Sequence, residues 1–181
     1  MENLEMCKQC GGKCCKHFGC EISPEDFKNG VTYENIKKKI DEGLISIDWW
    51  EGNVFEEIEN HPLRNKEIEK VLYLRMRNID SPIIDPSWEG GQCIALTPTG
   101  CKFSYDERPK GGRELIPNII DDRIQCYNNT FSKKDCAIAW YEYKDILERL
   151  YNEYLENFYN NILKLLEEKG CEIIDDRIRI K

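Results

Sequence analysis

Histidine is scarce in this 181-residue chain: His17 and His61 are the only two. That leaves little scope for an imidazole-based proton relay. There is no G-x-G-x-x-G opening a helix, no phosphate-cradling P-loop, no G-x-S-x-G and no H-E-x-x-H, so the common catalytic signatures are missing as well. No run of eighteen apolar residues occurs, which excludes an ordinary membrane-spanning helix from the expectation. Basic residues are outnumbered, 26 Lys and Arg against 34 Asp and Glu, for a net charge of −8. An acidic chain makes a poor nucleic-acid partner, because phosphate binding needs a basic face. The one basic run, Lys37-Lys38-Lys39, shares its helix with Glu34, Asp41 and Glu42 and reads as a solvated helix face. The opening residues Met-Glu-Asn-Leu-Glu-Met-Cys show neither a basic region nor an apolar stretch, so the expectation is a cytoplasmic protein with reduced thiols.

What the chain has in excess is cysteine, ten in all, five of them within fourteen residues: Cys7, Cys10, Cys14, Cys15 and Cys20. Such density in a reducing compartment points to metal or redox chemistry rather than disulfides. The C-x2-C pair Cys7/Cys10 turns two thiolates toward one point. Gly11 and Gly12, which follow, permit backbone angles closed to other residues, so the chain can fold around an ion. Thiolates select zinc, copper(I) or iron–sulfur clusters over magnesium or calcium. A second block, Gly90-Gly91-Gln92-Cys93 to Gly100-Cys101, is followed by Asp106-Glu107-Arg108-Pro109.

Together, the C-x2-C-x3-C-C start and the later C-x7-C with Glu-Arg-Pro resemble the zinc- or iron-chelating family named for its CxxCxxxCC motif. The resemblance covers roughly residues 7–117 and implies a metal-binding cysteine cluster without an established general activity. A similar cluster occurs in flagellin lysine methylases. The family usually places a cysteine and an arginine two residues beyond Arg-Pro. Here the run is Arg108-Pro109-Lys110-Gly111-Gly112-Arg113, so Gly112 stands where that cysteine is expected. Either one metal fewer is bound, or Cys20 or Cys126 takes the vacant position.

A closed zinc site would draw its four thiolates from Cys7, Cys10, Cys14, Cys15, Cys93 and Cys101, with Cys20 and Cys126 in reserve. Adjacent Cys14 and Cys15 are expected to point apart, which favours one mononuclear site built from both blocks, the spare thiol bridging or serving a second metal. Zinc is preferred, and an iron–sulfur cluster is the rival because the same soft ligands serve both. The ferredoxin spacing is absent, as is the C-x3-C-x2-C of radical S-adenosylmethionine enzymes. Arg108 would offset the charge of a tetrathiolate centre, or else pair with Asp106 or Glu107, and Arg113 is a weaker counterpart. His17 reads as a neighbour of the cluster or a surface residue rather than a ligand, and His61, in a polar neighbourhood ahead of Pro62, is not expected to be a ligand.

Ser23-Pro24-Glu25-Asp26 announces a short helix ending near Asn29-Gly30. A second helix is expected from Thr32 to Glu42, capped by Gly43, with Val31, Ile36 and Ile40 inward. Leu44 to Trp50 reads as a strand, Pro62 as the start of a short helix over Leu63–Lys70, and Val71 to Arg77 as a half-buried strand. The Gly- and Pro-rich stretch from Asp80 to Pro117 reads as a functional loop. Within it, Gln92–Leu96 and Lys102–Tyr105 form a hairpin that sets Cys93 beside Cys101. Ser132 to Lys169 lacks proline and glycine and repeats apolar residues at Trp140, Tyr143, Leu147, Leu150, Tyr154, Phe158, Ile162 and Leu165. Unbroken, capped by Ser132 and Gly170, such a helix runs ~55 Å and bends or pairs with a second chain. Cys171–Ile174 and Ile178–Ile180 read as a last edge strand, which makes Cys171 structural.

The expected architecture is one mainly helical α+β domain over residues 1–181. Its metal-binding blocks, about 7–20 and 90–113, are stapled by zinc or iron, and a C-terminal helix covers about 132–169. Three functions stand open: a non-catalytic metalloprotein that binds a protein partner, a metal or cluster carrier or redox sensor, and a metalloenzyme or protein-methylation accessory. No membrane or nucleic-acid partner is expected, and the chain would be a monomer or a homodimer through its C-terminal helix.

Overall fold

The structure, a computed structural model, describes residues 9–17, 19–85, 90–120, 123–128, 131–169, 171–174 and 177–180. It is an α+β fold with an antiparallel three-stranded sheet at its centre. Strand β1 (Glu21–Ile22) and strand β2 (Ile45–Glu51) flank strand β3 (Lys70–Met76), in the order β1-β3-β2. Between β1 and β2 lies helix α1 (Tyr33–Asp41), where Thr32 caps the first turn, its hydroxyl accepting from the Asn35 N–H at 3.2 Å. Ile36 and Ile40, four apart, fall on one face and are fully buried. Gly43 closes the helix at φ +72°, a left-handed angle that glycine adopts at no steric cost. The lysine run is engaged: Lys37 pairs with Asp41 and Glu153, and Lys38 with Glu42.

Strand β3 departs from the half-buried expectation. As the middle strand it is covered on both faces, and every residue from Val71 to Met76 is buried. Its register explains how polar residues tolerate this. Leu72, Leu74 and Met76 face Trp49, Ile47 and Ile45, while Tyr73 and Arg75 face Asp48 and Ser46. Asp48 Oδ2 accepts from the Tyr73 hydroxyl at 2.8 Å and from Arg75 Nε at 3.1 Å. The other end of the guanidinium reaches the Asp85 carboxylate and, at 3.0 Å, the Asp85 carbonyl. Chain 83–85 is held along the edge of β2 by Ile47 N–H to Ile83 O (2.8 Å) and Asp85 N–H to Ile47 O (3.0 Å). An alternation that looks half-solvated in sequence is thus an ion triad closed inside the fold.

The segment after Pro62 is a series of turns, not the expected helix. Asn53 holds it: its side-chain amide donates to the carbonyls of Leu63, Arg64 and Lys66 at 2.8–3.1 Å. His61 stacks on Phe55 with ring centroids 4.1 Å apart, and its Nδ1 accepts from the Leu63 N–H. The Ser23–Asp26 signal produces one 3₁₀ turn, Pro24–Asp26, in which the Asp26 carboxylate accepts from the Ser23 N–H at 2.9 Å.

Downstream come the small hairpin β4 (Leu96–Thr97) and β5 (Gly100–Cys101), a short helix α2 (Lys110–Arg113), and an unanticipated hairpin of β6 (Leu115–Ile120) with β7 (Arg123–Asn128). The single long C-terminal helix is also corrected. It is broken into α3 (Lys133–Trp140) and α4 (Lys144–Glu168) by a 3₁₀ turn over Tyr141–Tyr143. Neither proline nor glycine causes the break; packing accompanies it. The Trp140 indole donates to Ile22 O at 2.6 Å and meets Phe27 and Tyr143 edge-on, while Tyr141 meets Phe55. Ser132 caps α3 as expected, accepting from the Asp135 N–H at 3.2 Å.

Helix α4, about 37 Å long, buries Leu147, Leu150 and Tyr154 beside α1, but the expected inward stripe ends there: Phe158 and Leu165 are exposed. Gly170 lies outside the described residues. The last segment is not a single edge strand, because β8 (Cys171–Ile174) and β9 (Arg177–Ile180) pair with each other. Among the described residues no helix is long and apolar enough to cross a membrane.

Candidate metal centre

The two cysteine blocks, some seventy residues apart in the chain, meet at the end of β3. Gly11 and Gly12 turn the N-terminal block at φ +64° and +70°, and a 3₁₀ turn over Cys14–Lys16 follows. A Cβ on Gly12 would stand 2.4 Å from Leu96, so the absence of a side chain seats this knuckle on the β4–β5 hairpin. Backbone bonds then lace the blocks together. Cys93 N–H donates to Cys15 O at 2.7 Å, Met76 N–H to Cys20 O at 2.8 Å, and Ile94 N–H to Arg77 O at 2.9 Å. The expected hairpin forms but is shorter, with Cys101 opposite Leu96 rather than Cys93, because the turn closes early around Thr97–Gly100.

Asn78, fully buried, joins the blocks through its side chain and escaped the sequence reading. Its Oδ1 accepts from the Gly19 N–H at 2.8 Å and its Nδ2 donates to Gly90 O at 3.0 Å. The only signal for it was its position, just past the end of an apolar strand and ahead of a glycine-rich loop. Gly19 must be glycine, since a Cβ there would fall 1.9 Å from Met76 O. Asn78→Ala leaves two backbone groups without these partners, and each buried orphan costs about 1–3 kcal/mol. The expected result is a loss of roughly 2–4 kcal/mol in urea unfolding. A loss under about 1 kcal/mol would mean that water replaces the amide.

Around this junction lies a cavity of about 480 Å³ lined by six cysteines: Cys10, Cys14, Cys15, Cys20, Cys93 and Cys101. Cys10 and Cys93 are buried, the other four partly so, and none of the six is in a disulfide. Cys14 Sγ and Cys15 Sγ stand 3.8 Å apart. The expectation that these neighbours diverge is therefore overturned. Both residues lie in one tight 3₁₀ turn. Their spacing matches the edge of a tetrahedron of sulfurs about 2.3 Å from a central zinc, which is about 3.8 Å. Among the described residues, no group of three Cys, His, Asp or Glu side chains is placed to hold a metal ion as it stands, so closure on a metal requires thiols to move inward.

Electrostatics favour a cation in this place. The hydrogen bond with Cys14, burial, and the charges of Cys14, Cys93 and Cys20 all push the Cys15 thiol upward. Burial, followed by Cys93, Glu21 and Cys101, raises the Cys20 thiol, and burial chiefly raises Cys93. Thiols that hinder one another's ionisation share a natural remedy, a cation that lets them ionise together.

Arg108 lines the cavity, its Nε donating to Phe103 O at 3.4 Å. Arg113 is turned away to Asp26 and Glu25. His17 is exposed, though it too contributes to the wall. Glu21, unremarked in the sequence, also lines the cavity; it is buried, and that burial raises its carboxyl. Cys7 lies outside the described residues. Cys126 sits opposite Pro117 in the β6–β7 ladder, but its side chain is outside the described set.

Cys136, by contrast, is structural, since its fully buried thiol donates to Ile22 O at 3.3 Å. Comparison of the chain with protein-family models, with curated proteins and with solved structures returns no match.

Proposed function

We propose that the chain is a metal-binding cysteine-cluster protein whose metal, preferably zinc, staples the two cysteine blocks in a reducing compartment such as the cytoplasm. The observation that carries this reading is the gathering of six cysteines from both blocks, none in a disulfide, around one cavity. The ligands would come from Cys10, Cys14, Cys15, Cys93 and Cys101, with Cys7 beside them in sequence. Zinc here would supply folding free energy to a region that has few ladder hydrogen bonds of its own. The motif resemblance to the CxxCxxxCC family agrees with this chemistry.

The same set of soft thiols supports a second reading, an iron–sulfur cluster with a carrier or redox role. Elemental analysis and an optical spectrum of protein purified anaerobically test both. Zinc near one per chain with no visible absorption supports the staple. Iron with sulfide and a broad visible band supports the cluster. Neither metal overturns the proposal.

A further inference from the structure

The Cys20 thiol and the glycine pair of α2 occupy one place. A Cβ built on Gly112 would stand 3.2 Å from Cys20 Sγ, closer than such contacts ordinarily run, and next to the Arg108 side chain. A Cβ on Gly111 would reach within 2.8 Å of the Glu21 backbone. The backbone of α2 therefore lies directly on Cys20–Glu21, and missing side chains make the approach possible. Cys20 is also fixed from the other side, where its carbonyl accepts from Met76 N–H at 2.8 Å and β1 begins at the next residue. Its thiol shares the cavity with Cys93 and Cys101.

We infer that Cys20 is a ligand of the metal centre rather than a spare thiol, and that Gly112 is the positioning residue that leaves its sulfur room to face the cavity. This rests on the metal-binding reading above. Among the described cysteines, Cys20 is the one whose place depends on a second segment giving up its side chains. The rigid end of β1 holds it, so it would serve as a fixed point on which the more irregular thiols of the two blocks close. Cys20 would bind zinc as a thiolate, its proton lost to solvent, with no change of oxidation state.

The test uses zinc, with cobalt(II) as its coloured stand-in, on the full chain. Cys20→Ala removes the sulfur. Gly112→Ala keeps every thiol and sits at a backbone angle open to alanine, but its methyl presses on Cys20 Sγ. Cys20→Ala/Gly112→Cys returns a thiol to the shared space from the opposite segment. Circular dichroism and urea unfolding of the metal-free proteins check that each variant folds.

The expected result is that Cys20→Ala weakens zinc binding by more than the roughly 10–100-fold typical of outer residues around a metal. It should also remove about a quarter of the sulfur-to-cobalt charge-transfer intensity, one thiolate of four. Gly112→Ala should weaken zinc binding without changing the thiol count, and the double variant should recover much of the cobalt band. Wild-type zinc affinity and an unchanged cobalt spectrum in both Cys20→Ala and Gly112→Ala overturn the assignment while leaving the metal centre intact. A wild-type chain that binds neither ion would overturn the metal-binding reading itself.

Discussion

Arg75→Met should lower the stability of the fold by about 3–5 kcal/mol, read as a shifted midpoint in urea at neutral pH. Arg75 is 1 % exposed, and its guanidinium is shared between the carboxylates of Asp48 and Asp85, themselves buried to 0 % and 1 %. Methionine roughly fills the volume but leaves two buried carboxylates without the cation they share. Among the described residues, Asp85 Oδ1 already lacks a hydrogen-bond partner. Burying an unpaired charge costs more than an intact buried pair contributes, so the effect belongs to the orphans and not to the bond itself. The triple variant Asp48→Asn/Arg75→Met/Asp85→Asn should recover a large part of the loss because it removes all three charges. If Arg75→Met costs less than about 1 kcal/mol, water enters the triad and the site is not dry.

Cys10→Ser should loosen two regions at once. If one metal joins both blocks, removing a thiolate from the first should raise the proteolytic sensitivity of the second, residues 90–113, alongside its own. Metal affinity should fall by more than the 10–100-fold seen for residues that only surround a site. The metal-free links set a floor on this loosening. The Cys93 N–H to Cys15 O bond and the two bonds of Asn78 remain, so the blocks should breathe rather than separate. Limited proteolysis with and without zinc measures it. Unchanged cleavage of both regions in Cys10→Ser, under conditions where the wild-type chain is protected by zinc, would end the case for a shared site.

Both predictions turn on residues that sequence reasoning treated unevenly. The cysteine blocks were legible because thiol density, glycine turns and spacing are local properties: five of the six cavity cysteines, Cys10, Cys14, Cys15, Cys93 and Cys101, stand among the first-choice ligands of the motif reading, and the sixth, Cys20, is its reserve. Helix α1 was equally plain, with its threonine cap, its Ile36/Ile40 stripe and its terminal glycine. The strand that carries Arg75 reads as half-buried because alternation reports only the pleat of a strand, whereas both faces of a central strand can be covered. The long helix was drawn unbroken because neither helix breaker occurs in it, whereas the 3₁₀ turn accompanies aromatic contacts with Phe27 and Phe55, residues far away in the chain. The β6–β7 hairpin has no counterpart in the sequence reading, which carries the loop to Pro117 and assigns no element to residues 118–131.

The sequence by itself determined the chemistry available: soft thiol side chains in two blocks, almost no imidazole, and a net negative charge. It also determined the local turns, because Gly11, Gly12 and Gly43 adopt angles that other residues resist. Only the tertiary structure decided which thiols share a cavity and that Cys14 and Cys15 converge. It alone showed that Asn78 ties the blocks together and that Gly112 makes room for Cys20. The reason is physical: spacing along a chain fixes directions over a few residues, whereas contacts across seventy residues depend on how the sheet and helices pack.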